Sequence, residues 1–416
     1  MTISLYPPST PGSTSSTATY VRYSGTTVDA FGRLRTSQPY TLFDSQARYA
    51  ADSAYSYQVT GSGSTSYNAN KSSVNLIVGT AAGSAVAQTY RVFPYQPGKG
   101  LLTLQTFTMA AAQANLTQRI GYFNTNNGVY LEQAASTLSF VVRTYTSGSV
   151  DNSRSVPQSS WNVDKFDGTG PSGVTLDITK TQILWFDFEW LGVGNVRCGF
   201  VVNGTFYVAN VFQNSNFQTA AYMQTAILNL RYEISSSGTT TGATLQQICS
   251  SVISEGGYEQ ISQIYSARTG GTTGVTVNTS FTPLVSIRLN SGYFGAIVIP
   301  SSIDFLPIGN GNYEIALIKN ASLSGATWAS TLSGGQVDVD VAAGSLTYSA
   351  DNIVQTSFAT ASNKAQTSLV VATGYNFDLQ LGVSLSGASD TYTLAARTLS
   401  GTNACMGNLA FYNLTV

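Results

Sequence analysis

The stretch QILWFDFEWLGVGNVRCGFVVNGTFYVANVF, residues 182–212, decides the fold. It contains three runs, 182–191, 197–203 and 205–212, in which bulky apolar residues alternate with others. Period-two alternation over such short lengths predicts strands rather than helices. Asn203–Gly204 separates the last two runs. A type I′ hairpin turn needs positive φ at both central positions, and Asn-Gly meets that need best. Working outward, the same pattern recurs at 73–78, 90–95, 101–109, 118–123, 129–133, 138–145 and 228–234. Asn127–Gly128, between two of these runs, predicts a second tight hairpin.

About ten short strands in about 200 residues, with almost no helical period, imply a two-sheet sandwich. The expected class is therefore all-β. A jelly-roll-like, concanavalin-like sandwich spans 56–260, and a linker follows at 261–275. A second, smaller β-sandwich spans 276–416, built from runs such as 284–289, 294–300, 312–320, 377–385 and 392–397. One segment is ambiguous. In 240–257, Leu245, Ile248, Cys249 and Val252 follow helical spacing and Gly256–Gly257 would end a helix, but a strand burying Cys249 and Val252 fits nearly as well.

Composition narrows the chemistry. The 416 residues include no histidine, only 9% are charged, and 24 are Tyr. Histidine triads and the usual zinc patterns are thereby excluded, and no phosphate-binding glycine loop is present. Three widely spaced cysteines, Cys198, Cys249 and Cys405, read as buried free thiols, the mark of synthesis in a reducing cytoplasm. With 19 Lys and Arg against 20 Asp and Glu there is no electrostatic footprint for nucleic acid. No stretch approaches the roughly 20 apolar residues of a membrane span. The N-terminus, MTISLYPPSTPGSTSS, lacks the basic and apolar regions of a secretory signal. A net charge of −1 favours self-association.

Residues 1–55 read as an N-terminal arm followed by a docking segment. Within 21–50, Phe31, Tyr40 and Phe43 interleave with Arg33, Arg35 and Arg48. That segment is either a strand pair packing on the next domain or a docking surface for a larger assembly. Binding of single-stranded nucleic acid is disfavoured by so few arginines. Asp164, Asp167 and Asp177 lie in a turn-rich loop and are candidate oxygen ligands for calcium, although ordinary Asp-Gly turns account for them as well. No other cofactor is expected.

Alternation puts Trp185, Asp187 and Glu189 on one face of their strand. The strand resembles the Glu-x-Asp-x-Glu strand of jelly-roll glucanases, in which the first Glu is the nucleophile and the last the acid/base. Asp187 and Glu189 match that pattern. Trp185 stands where the nucleophile would, so no catalytic residue is assigned and the resemblance implies at most glycan binding. Over a longer span, DAFGRLRTSQPYTLFDSQARY (29–49), FPYQPGK (93–99), DGTGPSGVTLD (167–177), WLGVGNVRCGFVVNG (190–204) and ISEGGYE (253–259) resemble a family of virion structural proteins of tailed phages, notably marine and cyanobacterial ones. That resemblance implies a virion location, with the chain made in the host cytoplasm. It implies other capsid or tail proteins as partners, in a head decoration, fibre or adhesin. A homo-oligomer, with a trimer as one form, and attachment to host surface glycan follow as expectations.

Overall fold

A computed structural model describes residues 38–259, 261–360, 367–371 and 377–415. The first region contributes β1 (Tyr40–Gln46), β2 (Tyr55–Asn68), β3 (Ser73–Thr89), β4 (Leu101–Thr108), β5 (Leu116–Phe123), β6 (Gly128–Ala134) and β7 (Thr137–Thr144). It continues with β8 (Asp151–Pro157), β9 (Gln182–Phe188), β10 (Val196–Val202), β11 (Thr205–Phe212), β12 (Leu230–Ser236) and β13 (Ala243–Ser254). Among the described residues these strands form one 13-stranded sheet, ordered β11-β10-β9-β4-β13-β3-β12-β5-β6-β7-β8, with β1 on β13 and β2 on β3.

The sheet folds over on itself. β3 is the corner: its first half pairs with β13 through 74–78, its second half with β12 through 83–88. β2 follows β3 around the bend, where the register jumps between Gly61 and Gly63. The two halves then face each other across a core of rings. Phe140 of β7 lies 5.9 Å from Phe186 of β9 and 6.1 Å from Phe200 of β10, and Tyr122 of β5 lies 5.4 Å from Phe188 of β9. The outcome is an all-β, jelly-roll-like sandwich. The edge at β11 is closed by Asn162, whose side chain donates to the Val211 carbonyl and accepts from the Val211 amide, each at 2.9 Å. Capping an edge this way removes a template for unwanted strand pairing.

The second region contributes β14 (Gln263–Arg268), β15 (Val275–Val277), β16 (Thr282–Leu289), β17 (Val298–Pro307), β18 (Asn312–Lys319), β19 (Ser322–Ser324) and β20 (Ala329–Leu332). After these come β21 (Val337–Asp340), β22 (Ser345–Thr347), β23 (Ile353–Thr360), β24 (Thr367–Val370), β25 (Thr391–Thr398) and β26 (Asn403–Asn413). A five-stranded sheet, β14-β26-β17-β24 with β15 on β26, packs on a six-stranded sheet, β20-β21-β16-β25-β18-β23. Their shared core takes Val298, Ile303, Leu409 and Phe411 from one sheet and Leu284, Ile287, Ile315 and Leu394 from the other.

The two sandwiches are fused through apolar contact. Ile297, Ile299 and Phe377 belong to the core of the first, and Leu379, Tyr412 and Leu414 pack against it.

Several expectations need correction. The helical spacing in 240–257 is strand β13, with Ala243, Leu245, Gln247, Ser250, Val252 and Ser254 buried. A bulge between Gln247 and Ser250 inserts one extra residue and shifts the alternation into phase with a helix. Cys249 sits in that bulge and is exposed, whereas Cys198 and Cys405 are buried and all three thiols are free. The segment 261–275, read as a linker, contains β14 paired along β26. Asn203 and Gly204 do take φ of 51° and 78° and make the predicted turn. Asn127–Gly128 does not make one: residues 124–127 form a longer loop, with the Asn124 carboxamide accepting from the amides of Asn126 and Asn127 at 2.8 Å.

Candidate functional site

Trp185 and Asp187 lie on the outer face of β9, as alternation requires, while Phe186 and Phe188 enter the core. Trp185 is nevertheless only 3% exposed. Its indole packs on Gly199 of β10, where a Cβ would sit 2.7 Å from the ring, and Phe206 of β11 covers it at 5.6 Å between centroids. It offers no open face for a sugar to stack on. Asp187 is buried and ion-paired with Arg197. Glu189 lies beyond the end of the strand and is exposed. The three expected glycan ligands therefore do not converge on one solute.

Nor do the three aspartates proposed for calcium. Asp164 is buried and accepts from the amides of Phe166 at 2.8 Å and Ser172 at 2.7 Å. Burial opposes its charge, but those amides outweigh it and hold the carboxyl below the ordinary range. Asp167 and Asp177 each bind a threonine two residues on, Thr169 and Thr179, through hydroxyl and amide, which likewise lowers their pKa values. These are Asx turns. Among the described residues no cluster of three or more His, Cys, Asp or Glu could hold a metal.

Of the docking candidates, Phe31, Arg33 and Arg35 lie outside the described residues. Phe43 is 3% exposed and belongs to the core, because β1 is hydrogen-bonded to β13. Tyr40 is half exposed with its ring 5.7 Å from that of Tyr258, and Arg48 is exposed.

A large concavity among the described residues lies elsewhere, where the two sandwiches meet. It encloses about 720 Å³, within the usual range for ligand sites. Its floor is the segment after β3. The Arg91 guanidinium stacks on Phe43 at 5.3 Å and pairs with Asp378 at 3.0 Å. The Val92 carbonyl accepts from Gln380 at 3.1 Å, and the Tyr90 carbonyl from the Val383 amide at 2.8 Å. On the far wall, buried Asp390 accepts from Lys319 at 3.0 Å, Asn320 at 2.8 Å and the Gly382 amide at 3.1 Å. Asp52 is tied to Ser45 and to the Ala54 amide. Exposed Asp44 and Asp351 face the same space with Asn352 and Tyr90.

Five carboxylates thus stand against two cations, and both cations are engaged. Such a cleft disfavours anions and presents acceptors, amides and one phenol ring to a neutral or polyhydroxylated ligand. Local sequence spacing cannot reveal it, since its residues are gathered from 43 to 390. The usable signal is scarcity: in a chain with 9% charged residues, a charge that lies between two cores has a specific partner or task.

No family model matches the chain, and no curated protein matches it in sequence. Among solved structures, it is similar to a lectin from Bauhinia forficata in complex with GalNAc, at 11% identity and a TM-score of 0.31, over 53% of this chain and 98% of that one. It is similar to the CBM2 module of Lactobacillus casei BL23 phage J-1 evolved Dit, at 9% identity and a TM-score of 0.35, over 54% of this chain and 100% of that one. A glycosyl hydrolase family 16 protein from Mycobacterium smegmatis aligns at 11% identity and a TM-score of 0.30, over 51% of this chain and 100% of that one.

Proposed function

We propose that this chain is a non-enzymatic, carbohydrate-binding structural protein on the exterior of a phage particle, made in the host cytoplasm. The observation that carries the binding reading is the cleft between the sandwiches. Its carboxylates and amides accept from and donate to hydroxyls, Tyr90 supplies an aromatic surface, and its charge balance selects neutral glycans over acidic ones. Absence of catalysis is supported by acidity. A glycoside hydrolase needs a carboxyl raised toward neutral pH. The carboxyls of Asp151, Asp164, Asp167, Asp177, Glu233 and Asp338 are each held below the ordinary range instead. The strand that resembles a hydrolase strand has Trp185 at the nucleophile position and Asp187 locked to Arg197.

The particle location rests on the resemblance of segments 29–49 and 190–204 to tailed-phage virion proteins, on the hydroxyl-rich, weakly charged composition, and on the near-zero net charge that suits assembly. The residues before β1, rather than the whole of 1–55, would join the chain to its particle, as a homo-oligomer, since β1 is already paired with β13 in the first sandwich.

Titration of the full chain with neutral host polysaccharide tests the binding. Asp44→Ala with Asn352→Ala is expected to weaken it at least tenfold while leaving the unfolding midpoint in place. Wild-type affinity in that variant would remove the cleft from the mechanism. Electron cryo-microscopy of native particles tests location, and finding the chain only free in the lysate would overturn it.

A further inference from the structure

We propose that the second sandwich carries its own site for a single neutral sugar ring, separate from the cleft. On its six-stranded sheet, the Arg288 guanidinium of β16 lies 4.2 Å over the ring of Trp328. Its Nε donates at 3.1 Å to Asp338 of β21, a buried carboxylate that also accepts from Asn290 at 2.8 Å and from Ser330. Stacking and the carboxylate together fix the guanidinium plane. Its terminal nitrogens have no partner among the described residues, and Arg288 lines a pocket of about 240 Å³.

A second group lacks a partner there. The Thr391 hydroxyl oxygen is buried and makes no hydrogen bond, and Thr391 lines the same pocket. A buried polar atom without a partner is destabilising, and a ligand hydroxyl that reached it would recover that loss. Phe294 and Leu289 line the same pocket. The pocket thus combines apolar side chains that could meet the C–H face of a sugar with polar groups that could meet its hydroxyls.

Size and charge set the ligand class. The volume is below the roughly 300–1,000 Å³ of drug-sized sites, which suits one ring. Asp338 already balances Arg288, so an anionic group gains little over a hydroxyl. The pocket shares a wall with the cleft: Ser389 and Thr391 line the pocket, and Asp390 between them, just before β25, lines the cleft. One short segment entering β25 therefore borders both sites.

The test uses the full chain carrying Asp44→Ala and Asn352→Ala, so that failure of the cleft and failure of this pocket remain distinct. Saturation-transfer difference NMR is run with the methyl glycosides of glucose, galactose, mannose and N-acetylglucosamine, and with methyl glucuronide. At least one neutral glycoside is expected to bind, with Thr391→Val, which keeps the side-chain shape, weakening it about tenfold. Phe294→Ala should weaken it by as much or more. Absence of transfer to every neutral glycoside overturns the proposal, as does binding indifferent to both substitutions. Preference for the glucuronide would overturn the neutral class. If the combined variant does not fold, Thr391→Val in the otherwise unchanged chain should lower the number of bound glycosides by one, and an unchanged number overturns the site.

Discussion

Glu233 shows how the few charges of this chain are used. It lies on the outer face of β12, with Arg119 at 2.7 Å and Arg231 at 2.8 Å, and Arg119 also holds Glu132 at 2.6 Å. Burial opposes ionisation of Glu233, but the two guanidiniums prevail and its carboxyl sits below the ordinary range. Asp338 is lowered in the same way against Ser330, Asn290 and Arg288. A carboxyl with a depressed folded pKa stabilises fully above its unfolded value, and the gain is lost as pH falls through the folded one. Stability in urea should therefore be flat from pH 7 to about 5 and decline below about pH 4. Glu233→Gln should cost about 2–4 kcal/mol at pH 7 and flatten the acid decline, because it leaves two guanidiniums short of a charge. An unchanged acid limb would show that the cluster does not set it. Trp185→Ala should cost about 3–5 kcal/mol by leaving a cavity between Gly199 and Phe206, with no selective loss of glycan binding. Sequence alternation correctly places Trp185 on the outer face. Its exposure was not legible, because the side chain that covers it, Phe206, arrives from a strand two places away in the sheet.

At the scale of elements, the corner strand β3 decides whether the sheet can close. Gly83 lies where β2 and β3 bend together, and a Cβ there would meet the Ser62 amide at 2.4 Å and the Thr60 carbonyl at 2.7 Å. Both contacts are backbone and cannot yield cheaply. Gly83→Ala is expected to destabilise by about 2–4 kcal/mol, whereas Gly148→Ala, in open space but at a φ of 82°, should cost only about 1 kcal/mol. Equal losses would argue against crowding at the bend. Strands with clean alternation, such as β4 and β9, are plain in the sequence. β13 is not, because its bulge imitates a helical repeat, and only the first part of β3, 73–78, reads as a strand, since its second half lacks strong apolar alternation. A bend within a continuous strand leaves a trace of Gly residues but no change of period.

For the whole molecule, the shared core implies that the sandwiches unfold together. Ile297 and Ile299 lie at the start of the second sandwich's β17 region but are buried in the core of the first. Calorimetry of the full chain should give one transition, and Ile299→Ala should lower its midpoint and begin to split it. Two resolved transitions in the unmodified chain would mean that the interface contributes little. The same junction explains why the cleft was invisible to sequence reasoning: it exists only once two separately patterned regions are pressed together. Chain order adds a constraint in time. β26 is the central partner of its sheet, holding β14, β15 and β17, and β25 joins β16 to β18 in the other. The first sandwich has all its strands once residue 254 is made, but the sheets of the second lack their joining strands until β25 (Thr391–Thr398) and β26 (Asn403–Asn413) are made. At about 5–20 residues per second, the nascent chain waits on the order of ten seconds with the seat of Ile297 and Ile299 uncovered. A ribosome that stalls between residues 254 and 391 therefore holds a half-finished protein with an adhesive apolar flank, so uninterrupted translation of that span protects this fold from misassembly.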